Sequence, residues 1–467
     1  MAAAASSWGG ALMSSAGEAK PAKRVAIVGG GLAGLAAAVR LVERGCQIEL
    51  FESRRQIGGR AASFRDPATG DLVDYCQHVS LGCCTELAEF CERTGIADGF
   101  RRDRVLHLFT ADGRRFKLGA APILPAPLHL APSLLRLSYL SWFERLRIVP
   151  AMRQLAKSGD VDKAIGPWLR RHGQSQHVID QFWAVVLNSA LGDSLERASV
   201  RYARKVFVDA FLSSRDGYEV LVPTEPLTEL FGTRVVDWLT QRGAKVNCSR
   251  PVKKVEIASG RFSSLLLDDG SRVEADACVV AVPWRYVTDL FEKSQLDGPL
   301  KPLVAAASIG AAPITGVHLW FDRPITDLPH AILVGLQSQW LFNRGRDVEN
   351  TSTYYYQVVV SASYDFASRR RDEIANTIHE ELKRVWPTAR DAKLVNSRVV
   401  TDSFSVFSPA PGVDQLRPAQ RTAIDNLAVA GDWTSTGWPS TMESAVRSGN
   451  LAADAIIGNS SRTSDDT

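Results

Sequence analysis

Apolar and polar residues follow different periods in different parts of this chain. Arg24 to Val28 is a short apolar run that leads at once into Gly29-Gly30-Gly31-Leu32-Ala33-Gly34 and an Ala/Leu-rich stretch ending near Gly45. Gln47 to Phe51 follows as a second short apolar run, with Glu52 at its end. Short runs bounded by glycine read as buried strands and the longer stretch between them as a helix, so the opening predicts a strand–turn–helix–strand unit. The rhythm then breaks, because Gly58-Gly59-Arg60 opens a loop where a parallel dinucleotide domain would continue with a second crossover helix. From about Phe109 to Gly217 the pattern is mostly helical and strongly apolar, with prolines punctuating Pro122 to Leu140 and the aromatic set Trp142, Phe143, Trp168, Phe182 and Trp183. Val252 to Val282 switches to short strands, with Asp269-Gly270 as a hairpin turn, and closes on the buried run Cys278 to Val282 before Pro283. Strand-like runs return at Gly316 to Phe321 and Tyr354 to Val360, and a helix is predicted near Asp372 to Trp386. Leu427 to Ala430 reads as the last strand and Ser440 to Ile457 as the last helix.

Composition narrows the class. With 467 residues, 45% apolar and 23% charged, the chain has material for about three folding units or one large composite domain and is neither a disordered nor a disulfide-scaffold sequence. Its net charge of +4 is scattered, and Arg369, Arg370 and Arg371 form the only basic triplet, so no nucleic-acid partner is expected. The seven cysteines are odd in number and show no C-x-x-C spacing, which fits reduced thiols in a cytosol and gives no reason to expect a metal. No run of about 18 uncharged apolar residues meets the requirement for a membrane span. Residues 1–22 lack a basic leader and an apolar core and read as a flexible tail, as do residues 459–467.

The pattern Gly29-x-Gly31-x-x-Gly34 has the context that gives it meaning: a strand before, a helix after and an acidic residue at the end of the next strand. Glycines there allow the tight turn and let the backbone N–H groups around Leu32 and Ala33 approach a pyrophosphate at a helix N-terminus. Glu52 would accept hydrogen bonds from a ribose diol and would repel a 2′-phosphate, which favours FAD or NAD over NADP. The alternative is a glycine-rich turn in an unrelated α/β domain.

Gly58-Gly59-Arg60, Leu427-Ala-Val-Ala-Gly431-Asp432 and Pro439-Ser-Thr-Met442-Glu443-Ser-Ala445 lie at opposite ends of the chain, and together they resemble the flavin amine oxidase and phytoene desaturase superfamily. The resemblance implies an α/β fold: a Rossmann-like FAD-binding domain of the glutathione reductase type, built from discontinuous segments, with an α+β substrate-binding domain. The expected division is 23–105, 218–292 and 400–458 for FAD, and 106–217 and 293–399 for a lipid substrate. Gly59 and Arg60 would meet the pyrophosphate, Gly431 and Asp432 a ribitol hydroxyl, and the Met442 N–H the flavin N1/O2 edge, where a helix dipole stabilises the reduced, negatively charged ring. Val252 matches the position whose backbone meets adenine, or is a core valine. Ser440-x-x-Glu443 reads as a capping box, with Glu443 reaching back to its own helix.

At a narrower level the chain resembles the hydroxysqualene dehydroxylases along nearly its whole length. The residues that carry this are Asp74-Tyr-Cys-Gln77-His78, Leu124-Pro-Ala-Pro-Leu128, Asp180-Gln-Phe-Trp183 through Ser199, Lys205-Val-Phe-Val-Asp209 and Thr434-Ser-Thr-Gly437-Trp438-Pro439. Cys76 departs from the glycine usual in that family. The resemblance implies reductive removal of an allylic hydroxyl to give squalene, which requires hydride from reduced flavin, an acid for the departing water and a dry apolar pocket. The helical insert would line that pocket or be ordinary core, and Trp183 or Trp438 would face the developing cation. His78, as an imidazolium, is the candidate acid; its alternative is a histidine bonded to backbone or flavin. Asp74 is a candidate acid only if burial raises its pKa.

The expected partners are an isoprenoid lipid and an electron donor, either NAD(P)H or a redox protein, since no second dinucleotide fingerprint is present. A cytoplasmic enzyme resting peripherally on the inner membrane face through Pro122 to Leu140 is expected. The competing activities are a carotenoid or phytoene-type desaturase, an amine oxidase and a non-enzymatic prenyl-lipid chaperone. Trp433 to Thr441 contains no cysteine for covalent flavin attachment by that route, although Trp438 leaves an aromatic cage open.

Overall fold

A computed structural model describes residues 22–346 and 353–458. The tails expected at 1–22 and 459–467 lie outside the described residues, apart from Ala22. Five parallel strands form the first sheet, in the spatial order Lys245–Asn247, Gln47–Phe51, Arg24–Val28, Ala277–Val280, Leu427–Val429. Numbered along the chain this order is 3-2-1-4-5, with the first strand in the middle, as in dinucleotide-binding sheets. Ala277–Val280 and Leu427–Val429 are buried on both faces and expose nothing, while the edge strand Lys245–Asn247 is partly open. Three distant stretches of chain therefore contribute to one sheet, which is why the dinucleotide pattern appears interrupted in the sequence.

Helix Leu32–Glu43 covers one face of this sheet, and Met442–Gly458 packs directly on it. Their backbones approach closely at Gly449, where an added Cβ would lie 2.3 Å from the Ala33 carbonyl oxygen. The last helix is thereby fixed against the first, and with it the loop that precedes it. A three-stranded antiparallel sheet, Val252–Ala258, Arg261–Leu267 and Arg272–Glu274, carries the expected Asp269-Gly270 turn, with Leu265 paired to Val273.

A second sheet of seven strands runs in the order Leu394–Phe407, Ala311–Phe321, Tyr354–Ser361, Trp340–Arg346, His330–Leu333, Leu106–Phe109, Arg115–Leu118. Helix Arg371–Val385 packs in its core through Ile374, Ile378 and Leu382. Two details differ from the sequence pattern. The helical character assigned from about Phe109 begins later, because Arg115–Leu118 pairs as an edge strand whose Arg115 and Lys117 are exposed. Leu394–Phe407 is one strand paired along Ala311–Phe321, so it runs straight through the boundary expected between residues 399 and 400.

The helical insert contains two π-helical turns, Ile179–Trp183 and Val206–Leu212. Trp168, Trp183 and Phe207 are fully buried and share one core with Trp284 and Trp433 of the other sheet's surroundings. Trp183 stacks edge-on against Phe207 and donates its indole N–H to Gln174 Oε1 at 2.9 Å. It is core, not the wall of a pocket. Among the described residues no helix is long and apolar enough to cross a membrane, and no group of three or more His, Cys, Asp or Glu side chains is arranged to hold a metal.

Candidate cofactor and active site

The glycine turn after the first strand is dictated by contacts. Gly29 has φ +106°, and a Cβ there would lie 2.5 Å from the Ala281 carbonyl oxygen; one on Gly34 would lie 2.0 Å from Gly29 O. Helix Leu32–Glu43 then begins with no side-chain cap at Gly31 and no acid in its first turn. Its first N–H groups, at Leu32, Ala33 and Gly34, lack intrahelical carbonyls and lie open to an anion.

Gly58-Gly59-Arg60 folds onto this turn. Gly58 N donates to Gly30 O at 2.9 Å, and a Cβ on Gly59 would come within 3.1 Å of Gly31 Cα. Glu52 is buried; Oε2 accepts from Gly30 N at 2.8 Å, and Oε1 accepts from Arg54 N at 2.9 Å and Ser53 Oγ at 3.1 Å. The segment leading to Val252 is tied alongside, since Arg250 N donates to Glu52 O at 2.9 Å and Ser249 N to Arg54 O at 2.8 Å. Val252 itself is half-buried.

At the other end Arg60 forms an ion pair and hydrogen bond with Asp432, and its second terminal nitrogen donates to Ser405 O at 2.7 Å. Asp432 also accepts from Ser440 Oγ. Gly431 N donates to Ser448 Oγ at 2.8 Å on the last helix. A contiguous line of contacts therefore runs from Glu52 through Gly30 and Gly31, across Gly58 to Arg60, and on to Asp432 and Ser440. The sequence reading missed Arg417. This buried guanidinium donates to the carbonyl oxygens of Asp432, at 2.9 Å, and of Thr434, and to Thr436 Oγ1 at 3.1 Å, and so shapes the loop before the last helix. A lone arginine in a polar loop carries no sequence signal for that role.

The capping-box expectation at Ser440 and Glu443 is corrected. Thr441 is the cap: its Oγ1 accepts from Ser444 N at 3.1 Å and its carbonyl from Ala445 N at 3.0 Å. The Glu443 carboxylate instead reaches a different helix, Thr85–Arg93, and accepts from Glu86 N at 3.1 Å and Leu87 N at 2.8 Å, the otherwise unpaired donors of that first turn. Met442 is buried at the start of the last helix.

These residues fit a dinucleotide. An uncapped helix N-terminus suits a pyrophosphate, a buried carboxylate with spare lone pairs suits a diol, and a guanidinium–carboxylate pair stands between the two.

The Asp74 to His78 segment crosses the junction of the two sheets. A Cβ on Gly316, in the seven-stranded sheet, would lie 2.9 Å from Tyr75 O, and Gln357 Nε2 donates to Asp74 O at 3.3 Å. Asp74 is buried; its Oδ1 accepts from Ser63 Oγ at 2.7 Å and from Leu227 N at 2.8 Å. Its Oδ2 has no hydrogen-bond partner among the described residues, and the nearest cation, Arg344, is 3.9 Å away. Burial raises the carboxyl pKa, opposed by Arg344 and by the hydrogen bonds to Oδ1. Gln77 Oε1 and Gln357 Oε1 are likewise buried without a partner among the described residues.

His78 behaves differently from the imidazolium the sequence suggests. Its Nδ1 lies 3.0 Å from Cys76 O, which fixes Nδ1 as the protonated nitrogen. Burial lowers its pKa, so the ring is neutral near pH 7 and is an acceptor at Nε2. The Cys76 thiol is pushed up to about 12 by burial and stays protonated. Trp438 also departs from expectation: the Lys205 ammonium lies 4.0 Å from its ring centroid and donates to Asp209 Oδ2 at 2.6 Å. That ring is already engaged by a cation of the protein and is not free to face another on the same side.

A parallel sheet of order 3-2-1-4-5 with a glycine turn, an uncapped first helix and a carboxylate at the end of the second strand defines a dinucleotide-binding protein. Residues 32–457 match the family described as flavin containing amine oxidoreductase, and the chain belongs to that family. Its cofactor is FAD. The 15-cis-phytoene desaturase of Solanum lycopersicum is 27% identical, over 93% of this chain and 77% of the relative. The zeta-carotene desaturase of Synechocystis is 28% identical, over 94% and 98%. Among solved structures, cyclohexylamine oxidase from Brevibacterium oxydans shares the fold with a TM-score of 0.68 at 19% identity, covering 95% of this chain and 100% of that one.

Proposed function

We propose that this chain acts on an isoprenoid and reductively removes the allylic hydroxyl of hydroxysqualene to give squalene and water. The observation that carries the reading is Asp74: a buried carboxyl, on the segment that crosses the junction of the two sheets, with Oδ2 unpartnered among the described residues. Loss of hydroxide from an allylic carbon needs a proton donor in a dry site. Burial keeps the proton on the Asp74 carboxyl to higher pH than usual, and the two donors on Oδ1 leave Oδ2 to carry it. Neutral His78 orients the loop through Cys76 O and competes with no substrate oxygen as an acid.

Bound FAD, reduced by NAD(P)H or a redox protein, would supply the hydride equivalent, and this chain would supply the proton that leaves with the hydroxyl as water. In the proposed assignment the N–H groups of Leu32 to Gly34 hold its pyrophosphate, Glu52 and Val252 the adenosine, Arg60 and Asp432 the central chain, and the Met442 N–H the ring. Gly29, Gly31, Gly59 and Gly431 keep the backbone close.

The carotenoid desaturase relatives favour a second reading, removal of two hydrogens from a phytoene-type chain. One experiment separates them. Dithionite-reduced holoenzyme with hydroxysqualene, and oxidised holoenzyme with phytoene, are followed by mass spectrometry of the lipid extract. Squalene from the first and unchanged phytoene from the second support the proposal; desaturated phytoene with untouched hydroxysqualene overturns it.

A further inference from the structure

Helix Trp142–Lys157 carries two apolar faces. Ile148, Ala151 and Leu155 are buried against the core, as a globular helix requires. Trp142, Phe143, Leu146 and Val149 occupy the opposite side, at 53, 77, 47 and 38% exposure. Helix Ala131–Leu135 packs beside it and adds Leu135; the turn before it adds Leu128, and the loop before that Ile123 at 92% exposure. Half of the exposed large hydrophobic residues among the described ones thus lie between Ile123 and Val149. Scattered singly they would need no explanation, but a concentration of this kind marks an interaction surface.

Charge says what covers it. Between Ala131 and Lys157 stand Arg136, Arg145, Arg147, Arg153 and Lys157 against the single acid Glu144, a net +4 that equals the formal charge of the entire chain. Arg136, Arg147, Arg153 and Lys157 are exposed, and the Arg145 guanidinium lies over the Trp142 ring at 5.5 Å. The one acid is used internally: Glu144 accepts from Ser141 N at 2.8 Å and Ser175 Oγ at 3.0 Å, and lies 3.1 Å from His177 Nδ1. Apolar side chains ringed by unneutralised cations suit an interface with acyl chains below and anionic headgroups around. A second copy of this chain would bring the same positive rim face to face, which disfavours a dimer through this patch.

We infer that the Trp142–Val149 face, with Ile123, Leu128 and Leu135, is a docking surface that inserts into the outer layer of a bilayer rich in anionic lipid. The face takes in part of the stretch that the sequence marks, Pro122 to Leu140, and extends beyond it. Leu134 in that stretch is half-buried and packs against the core, whereas the most exposed aromatic pair, Trp142 and Phe143, lies beyond it. The inference is independent of which isoprenoid is the substrate.

The test is co-sedimentation of the full-chain holoenzyme with phosphatidylcholine vesicles and with vesicles containing phosphatidylglycerol. The double variant W142E/F143E is compared with V395E, a similarly exposed change on the edge of the seven-stranded sheet. Flavin absorbance of each variant checks folding, and a Phe143→Ser variant provides a milder change. The expected result is binding at least 10-fold tighter to the anionic vesicles, reduced by salt, lost by 10-fold or more in W142E/F143E, weakened in Phe143→Ser and retained in V395E. Equal sedimentation of wild type and W142E/F143E, or no vesicle binding together with a concentration-dependent dimer that W142E/F143E abolishes, overturns it. Vesicle binding is read without turnover, so its failure is distinct from failure of the dehydroxylation proposal.

Discussion

Arg60 and Asp432, 372 residues apart in the chain, form an ion pair that joins the second glycine loop to the loop before the last helix. The pair is asymmetric: the Asp432 side chain is 3% exposed and that of Arg60 34%. Removing the cation therefore strands a buried carboxylate, whereas removing the carboxylate leaves a guanidinium that can turn to water. Arg60→Ala is expected to destabilise the FAD-free protein by about 2 kcal/mol, a value discounted from fully buried pairs for the exposure of Arg60, and Asp432→Asn by less. Urea unfolding of the FAD-free variants measures the order. Flavin fluorescence titration should show that both variants weaken FAD binding, Arg60→Ala the more strongly.

Glu443 supplies a second prediction, because its carboxylate caps a helix to which it does not belong. Glu443→Ala leaves the Glu86 and Leu87 N–H groups unpaired, and a cost of about 1–2 kcal/mol in urea unfolding is expected. Glu443→Gln keeps one acceptor and should recover part of it. Burial raises the Glu443 pKa, so the folded form favours the proton: stability from this group is present below the ordinary carboxylate value and declines as pH rises through the raised one. Glu443→Gln does not titrate, so it should lose less relative to wild type at neutral pH than at acidic pH.

The fate of Glu443 shows where sequence patterns end. Ser-x-x-Glu before a helix is a local signal, and the local reading gave the wrong partner because the sequence does not reveal which other helix end lies within reach. Gly29, Glu52 and the strands around them were legible because their chemistry is local: a positive φ, a close backbone approach and an acid at the end of a strand. The family and its flavin were legible because three such local motifs recur in order. Arg417, the Lys205 contact with Trp438 and the burial of Trp183 were not, since each depends on packing between elements far apart in the chain. His78 was read with its solution pKa, and only burial shows that the ring is neutral.

Burial of a second imidazole makes the protein sensitive to acid. His318 is buried and its pKa is lowered to about 4, chiefly by burial, while its Nδ1 lies 2.7 Å from Tyr355 Oη. The unfolded chain takes up this proton near pH 6.5. Stability from His318 is thus full above about pH 6.5 and is lost as pH falls toward 4, at a slope of about 1.4 kcal/mol per pH unit and about 3 kcal/mol in all. His107, His129 and His379 are shifted the same way and add to the slope. His318→Gln should be less stable than wild type at pH 8 yet show a shallower loss between pH 6 and 4.5, by about one proton, in urea unfolding at fixed pH. An unchanged slope would place the acid sensitivity elsewhere.

Asp74 provides the prediction that bears most directly on chemistry. Its raised pKa has one sign for stability and one for turnover. The folded state favours the protonated carboxyl, so stability declines as pH rises from the ordinary carboxylate value through the raised one, and turnover declines over the same range as the acid loses its proton. Asp74→Asn keeps an acceptor for Ser63 Oγ and Leu227 N and stays neutral at every pH, but has no acidic proton to give. The variant is expected to bind FAD, to be at least as stable as wild type at pH 8, and to remove hydroxyl about 100-fold more slowly with no alkaline limb in its pH profile. His78→Ala should keep that limb, because in the proposal the proton is carried by Asp74 and not by His78. A merely structural Asp74 would give the opposite combination: an Asn variant with near wild-type turnover and the alkaline limb still present.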